Sequence, residues 1–157
     1  MPRGTGGFRP PWWHGYFRGH GYRVTIPRQE ILKVLSQTDE HLNAEDIYIK
    51  VHKAYPGIGL TTVYRTLELL VNMDIVFKFD VGDGRARYEL AMGPKGARHH
   101  HHLICTNCGR VIDYTDFINE EKGLINKTEN TLSKRYNFKI VNHRIQFFGL
   151  CDRCKIE

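Results

Sequence analysis

Apolar residues recur along this chain with two different periods. From Thr25 the spacing is helical, with Ile31, Leu32 and Leu35 on one face. Thr25 is a fitting N-cap, and Pro27 lies in the first turn, where a missing N–H is no loss. A second helix is expected from Asn43, with Asp46 as the acidic partner of a capping box. Its inner face is Ala44, Ile47, Tyr48 and Val51, and Pro56-Gly57 ends it. A third helix opens at Thr61. Val63, Leu67, Leu70 and Val71 face inward, while Thr62, Tyr64 and Arg65 occupy the outer face of its N-terminal half. The period then changes: Ile75–Asp80 and Arg85–Leu90 read as strands around the turn Gly82-Asp83-Gly84. Three helices and a hairpin make the layout of a winged helix-turn-helix, with the third helix as the candidate for entering a DNA major groove; a small α+β domain with no nucleic-acid role is the plainer reading.

Before these elements, the stretch to Gly21 mixes glycine, proline, arginine and aromatics. Trp12, Trp13, Tyr16 and Phe17 fit one short helix, weakened by Gly15 and Gly19. After them, Ala91–Arg98 carries Gly93, Pro94 and Gly96 and reads as a hinge. Beyond the hinge, strand patterns at His100–Cys105 and Arg110–Tyr114 precede a helix from about Asp116 to Arg135. That helix carries Leu124, Ile125, Thr128 and Leu132 on one side. A long strand is expected from Phe138 to Phe148, with Val141, His143, Ile145 and Phe147 on one face. The expected class is α+β. A winged-helix domain spans residues 1–90, including an arm at 1–21, the hinge spans 91–98, and a small α/β domain with a three-stranded sheet spans 99–157. A domain of that last size usually gains from a metal staple or a partner subunit.

At 157 residues the whole chain can bury a core of its own. No apolar run reaches the roughly 20 residues needed to span a bilayer, and no secretory h-region is visible, so a cytoplasmic location is expected and no membrane partner. The formal net charge is +6. Its placement matters more: Arg3, Arg9, Arg18, Arg23 and Arg28 precede Glu30 with no acidic residue among them. Such an arm suits a polyanion; a solvated basic tail is the plainer reading.

The chemistry concentrates between Arg98 and Tyr114, RHHHHLICTNCGRVIDY. Cys105 and Cys108 form one Cys-x-x-Cys pair, and Cys151 and Cys154 form a second. Two such turns complete a tetrahedral four-thiolate site, which Zn2+ fills with no open position, so the expected role is structural. Two independent redox pairs are the alternative. On a strand, side chains alternate, placing His100 and His102 on one face and His99 and His101 on the other. Glu89, Asp113, Asp116 and Glu120 are the carboxylates nearby in sequence. His143, alone on an apolar strand face, is ordinarily a core residue, and His41 an ordinary loop residue. A metalloenzyme would need a substrate pocket and an activated water, and no residue constellation points to one, so the chain is read as a non-enzyme. A zinc-stapled module that binds another protein is a third reading.

In order, the motifs GYRVTIPRQEIL, HLNAEDIY, GLTTVYRTLELL, RYEL, HHHHLICTNCGRVID and NHRIQFFGLCDRC make the chain resemble the ferric uptake regulator family of metal-sensing repressors. The resemblance runs from about Gly21 to Cys154. It implies a homodimer, built on an N-terminal winged helix and a C-terminal α/β dimerisation domain, that binds a double-stranded DNA operator. It assigns the four cysteines to a structural Zn2+. It assigns His41, Glu89, His100, His102 and Asp113 to a regulatory metal, Fe2+ first, with Mn2+ or Zn2+ as alternatives. His99, Glu120 and His143 match a further metal site, in which His101 stands where iron sensors usually have Asp. Tyr64 and Arg65 match the base-reading face of the recognition helix, with Thr61 and Thr62 beside them, and Arg23 and Arg28 match backbone- or groove-contacting positions. Asp113 is shared more with peroxide sensors, and Arg65 with iron-type regulators. An iron-responsive repressor is therefore expected first, a peroxide sensor second, and a zinc, nickel or manganese sensor third.

Overall fold

The computed structural model describes residues 11–91, 100–141 and 143–156. The fold is α+β. Helix α1 (Trp13–Gly19) leads, followed by α2 (Ile26–Ser36), α3 (Ala44–Ala54) and α4 (Leu60–Asn72). Strands β1 (Val76–Asp80) and β2 (Ala86–Leu90) form a two-stranded sheet. Strands β3 (His101–Cys105) and β4 (Val111–Tyr114), helix α5 (Ile118–Tyr136) and strand β5 (Gln146–Gly149) complete the chain. Two compact units result: Met1–Lys78 with Arg87–Ala97, and Phe79–Ala86 with Arg98–Glu157. The hinge expected over 91–98 lies outside the described residues apart from Ala91. So do His99, Arg3 and Arg9.

Local signals explain three helices of the first unit and the hairpin that follows them. Thr25 is extended ahead of α2, with Pro27 at the start of the helix. The capping box of α3 is complete: the Asp46 amide donates to Asn43 Oδ1 at 2.8 Å, and the Asn43 amide donates to Asp46 Oδ2 at 3.3 Å. α4 begins one residue earlier than Thr61, with Gly59 as its N-cap. Ile31, Leu32, Ile47, Val51, Val63, Leu67 and Leu70 close the core between the three helices. Gly82 and Gly84 turn the hairpin at φ 88° and 74°, where side chains are strained. The Asp80 and Asp83 carboxylates accept the amides of Gly82 and Arg85 there.

Helix α1 forms despite its glycines because it is docked. Phe17 is fully buried, and the Tyr16 hydroxyl donates to the Met73 carbonyl at 2.9 Å. The Arg28 guanidinium lies 5.7 Å from the Phe17 ring centre and 5.6 Å from that of Tyr22.

In the second unit β3 is central, in the order β4-β3-β5, antiparallel to β4 and parallel to β5. Phe79, Val81 and Ile104 are buried together, with Val111 packed against them. The last strand is shorter than the Phe138–Phe148 expected. Its parallel register sets His102 opposite Gln146. Residues ahead of Ile145 therefore run past the start of β3, where no ladder continues among the described residues. The apolar side of α5 also differs from expectation: no residue of this helix is buried.

Replacing Phe17 by Ala should destabilise the full chain by about 3–5 kcal/mol. Asn43→Ala should cost about 1 kcal/mol. Urea unfolding measures both, and a wild-type midpoint for Phe17→Ala would show that α1 contributes nothing to the folded unit.

Candidate metal centres and nucleic-acid interface

Adjacent strand ends build the cysteine cluster. Cys105 closes β3 and pairs with Gly149, the last residue of the parallel β5. Each strand then enters a tight turn. In the first, the Gly109 amide returns to the Cys105 carbonyl at 2.9 Å, with Gly109 at φ 71°. In the second, the amides of Cys154 and Lys155 both reach the Cys151 carbonyl at 2.9 Å. The Thr106 amide donates to the Gly149 carbonyl, and Arg110 pairs with Asp152 at 2.6 Å, so the turns are joined outside the sulfurs as well.

All four thiols are free, and their sulfurs lie within 4.8 Å of one another. Cys108 Sγ and Cys151 Sγ are 3.7 Å apart. A disulfide needs about 2.05 Å. Two sulfurs on a tetrahedral ion at about 2.3 Å each would stand about 3.8 Å apart. Backbone N–H groups of Cys108 and then Cys151 hold the Cys105 thiol down to about 6. At Cys154, the downward pull of the Asn107 side chain is outweighed by hydrogen bonding to Cys108, by burial and by bonds to Cys151 and Cys105, which push it up to about 11. Burial raises Cys151, but hydrogen bonds from the Arg153 backbone and with Cys108 and Cys154 bring it below its ordinary value, so thiolate is favoured at Cys105 and Cys151 and opposed at Cys154. A divalent cation removes that conflict, so the donor set fits Zn2+.

Strand alternation sorts the histidines as expected. The rings of His100 and His102 are 5.1 Å apart. His102 is buried, stacks on Phe79 with ring centres 4.6 Å apart, and sets Nε2 3.4 Å from Asp113 Oδ1 on the paired strand. His101 is buried with its ring 6.3 Å from that of His143. Its Nε2 lies 2.8 Å from Glu121 Oε2, while the Tyr114 hydroxyl donates to Glu121 Oε1 at 3.1 Å. Burial lowers the pKa of His101; Glu121 opposes this, and His143 and His100 add to it. His143 in turn pairs with Glu129 at 2.8 Å. Glu121 is the residue that the sequence reading missed. α5 presents it to His101, whereas Glu120, one residue earlier and about 100° around the helix, is exposed. The helical phase that separates the two depends on where α5 starts, and its N-cap Phe117 is in the left-handed region at φ 59°.

In the first unit a lone bridge pairs Leu42 with Tyr88, which sets the neighbours His41 and Glu89 side by side. His41 Nε2 is 3.5 Å from Glu89 Oε2. Two donors sharing one ion at about 2.1 Å stand about 3.0–3.4 Å apart, so the His102–Asp113 spacing fits paired ligands and the His41–Glu89 spacing lies just beyond that range. On α4, Thr61, Thr62, Tyr64 and Arg65 are all exposed on one end of the helix. Arg23 is exposed too. Arg28 is partly buried and donates to the Arg23 carbonyl at 2.6 Å, in addition to its contacts with Phe17 and Tyr22.

The ferric uptake regulator family model matches residues 19–148. The chain belongs to this family. It is 44% identical over 135 residues to the ferric uptake regulation protein of Bacillus subtilis, covering 85% of each chain. Among solved structures, the manganese-containing ferric uptake regulator of Pseudomonas aeruginosa superposes with a TM-score of 0.70 at 27% identity, over 88% of this chain and 97% of that one. The Helicobacter pylori ferric uptake regulator, described with three functional metal-binding sites, gives 0.68 at 25% identity, over 92% and 90%. The ferric uptake regulator family relatives are named as regulators, which agrees with the reading of the chain as a non-enzyme.

The sulfur geometry carries a direct test. The purified chain should hold about one Zn2+ that resists brief chelation. Cys108→Ser should lose it, with a fall of about 10 °C or more in melting midpoint. Elemental analysis and calorimetry measure this; a variant with native zinc content and melting would dissolve the four-thiolate assignment.

Proposed function

We propose that the chain is a metal-dependent, DNA-binding transcriptional repressor, iron-responsive, acting as a homodimer on a double-stranded operator. Four cysteines, Cys105, Cys108, Cys151 and Cys154, hold a structural Zn2+. His41, Glu89, His100, His102 and Asp113 hold the regulatory ion, and His101, Glu121 and His143 are the described candidates for a further one. Thr61, Thr62, Tyr64 and Arg65 read the duplex, with Arg23 and the arginine arm on its backbone.

The observation that carries this reading is that each unit contributes its own histidine–carboxylate pair at or close to a ligand spacing, 3.5 Å for His41–Glu89 and 3.4 Å for His102–Asp113. Neither pair alone makes a full coordination shell. A bound cation supplies a fixed point of double positive charge. The ligands from the two units then hold the winged helices at one angle. A two-fold dimer must match two half-sites at once, so a fixed angle raises DNA affinity. Imidazole with carboxylate suits Fe2+ and Mn2+ and also accepts Zn2+. The exposed apolar residues of the second unit favour the homodimer. They are Leu124, Phe138, Val141, Phe147 and Phe148, large apolar side chains of the kind that a partner subunit covers.

Duplexes selected from a random pool by the wild-type chain with Mn2+ provide the assay. Metal should tighten binding by about 5- to 150-fold. His100→Ala should erase that gain while zinc content and melting stay native. A metal response unchanged in the variant would remove His100 from the regulatory site. Repeating the titration with Fe2+, Mn2+ and Zn2+, before and after peroxide, ranks the sensed signal.

A further inference from the structure

Tyr64 is joined to a second helix. Its hydroxyl donates to Glu45 Oε1 at 2.8 Å, from the exposed end of α4 to the first turn of α3. The helix macrodipole favours a carboxylate in that first turn. Tyr88 is buried, and its pKa is raised by burial first and then by Tyr64, Glu68 and Glu45, which places these groups around one another. α3 and α4 are therefore joined at the Tyr64 hydroxyl, with Tyr88 of β2 near enough to feel its charge.

We infer that Glu45 is a positioning residue for sequence readout: through its bond to the Tyr64 hydroxyl it sets how selectively α4 reads a duplex. This rests on the proposed reading of α4 as the recognition helix. Two physical effects act in the same direction. A tyrosine on an exposed helix face would otherwise sample several staggered rotamers and would have to be ordered on DNA. The bond to Glu45 orders it beforehand, and because the hydroxyl donates its hydrogen bond to the carboxylate, it has no proton left to donate to a base. A carboxylate beside the contact face also repels phosphates. That repulsion weakens sequence-independent binding, which is driven by phosphate contacts.

The test uses the full chain with Mn2+, a duplex selected by the wild-type protein from a random pool, and an unrelated duplex of equal length. Glu45→Ala should lower the ratio of the two affinities about tenfold, through weaker binding to the selected duplex and stronger binding to the unrelated one. Tyr64→Phe should lose a similar share on the selected duplex, and the double variant no more than Glu45→Ala alone. Glu45→Gln, which keeps an acceptor oxygen, should recover most of the selected-duplex affinity. A wild-type ratio in Glu45→Ala, or additive losses in the double variant, overturns the inference. If Glu45→Ala fails to fold, Tyr64→Phe alone decides, since a wild-type ratio there excludes a role for the bond. If the wild-type chain selects no sequence at all, the recognition-helix reading itself fails and takes the inference with it.

Discussion

The C-terminal unit depends on the junction of its two cysteine turns. Its 19-residue helix buries no side chain, and among the described residues the buried cluster at its sheet is Phe79, Val81 and Ile104 with Val111 against them. So small a core leaves little to offset the entropy of ordering the chain. The sulfurs act on that entropy directly. A cation held by all four would join Cys105 and Cys108 to Cys151 and Cys154, closing the long loop that contains β4, α5 and β5. The dependence runs both ways. Parallel pairing of β3 with β5 brings the two turns together, and a cation is what allows four crowded sulfurs all to be thiolates. A metal held there would make folding and metal uptake in this unit one equilibrium.

The same strand carries the other chemistry. β3 has cysteine at its C-terminal end and histidines at its N-terminal end. Fixing one end by a four-coordinate ion sets the register of the whole strand. The pleat then sends His102 toward Asp113 and His101 toward Glu121 on opposite faces. A metal ligand must be placed to within a few tenths of an ångström. A strand paired on both sides and clamped at its end provides that better than a loop would.

What could be read from residue order follows how local each interaction is. α2, α3 and α4 were legible because their stripes and caps lie within a few residues, Asn43 with Asp46 above all. The cysteine cluster was legible because tetrahedral geometry demands two tight turns. Strand alternation was enough to separate His101 from His102. The extent of β5 was not legible, since it is set by where a parallel neighbour begins far back in the chain. Glu121 was hidden for a related reason. Glu120 and Glu121 are equivalent as letters, and only the start of α5 decides which one turns toward His101. The engagement of Arg28 with Phe17 and Tyr22 was equally invisible, because a guanidinium serves a phosphate or an aromatic face without any change in the surrounding sequence.

The proposed mechanism carries a thermodynamic obligation. If a regulatory ion tightens DNA binding by some factor, DNA must tighten the ion by the same factor. The ligand set is suited to moderate affinity in the absence of DNA, because Asp113 is well exposed and His41 and Glu89 are bound into a different unit from His100 and His102. The ion must bring groups from two units to one point, and the entropy lost in doing so subtracts from its affinity. An operator that already holds the dimer in the matching posture removes part of that loss. The free protein then responds to changes in metal supply, while the protein on DNA holds its ion longer. The four-cysteine cluster has the opposite design: all four sulfurs belong to one unit and are brought together by one sheet, so an ion held there would be coupled to folding and not to DNA.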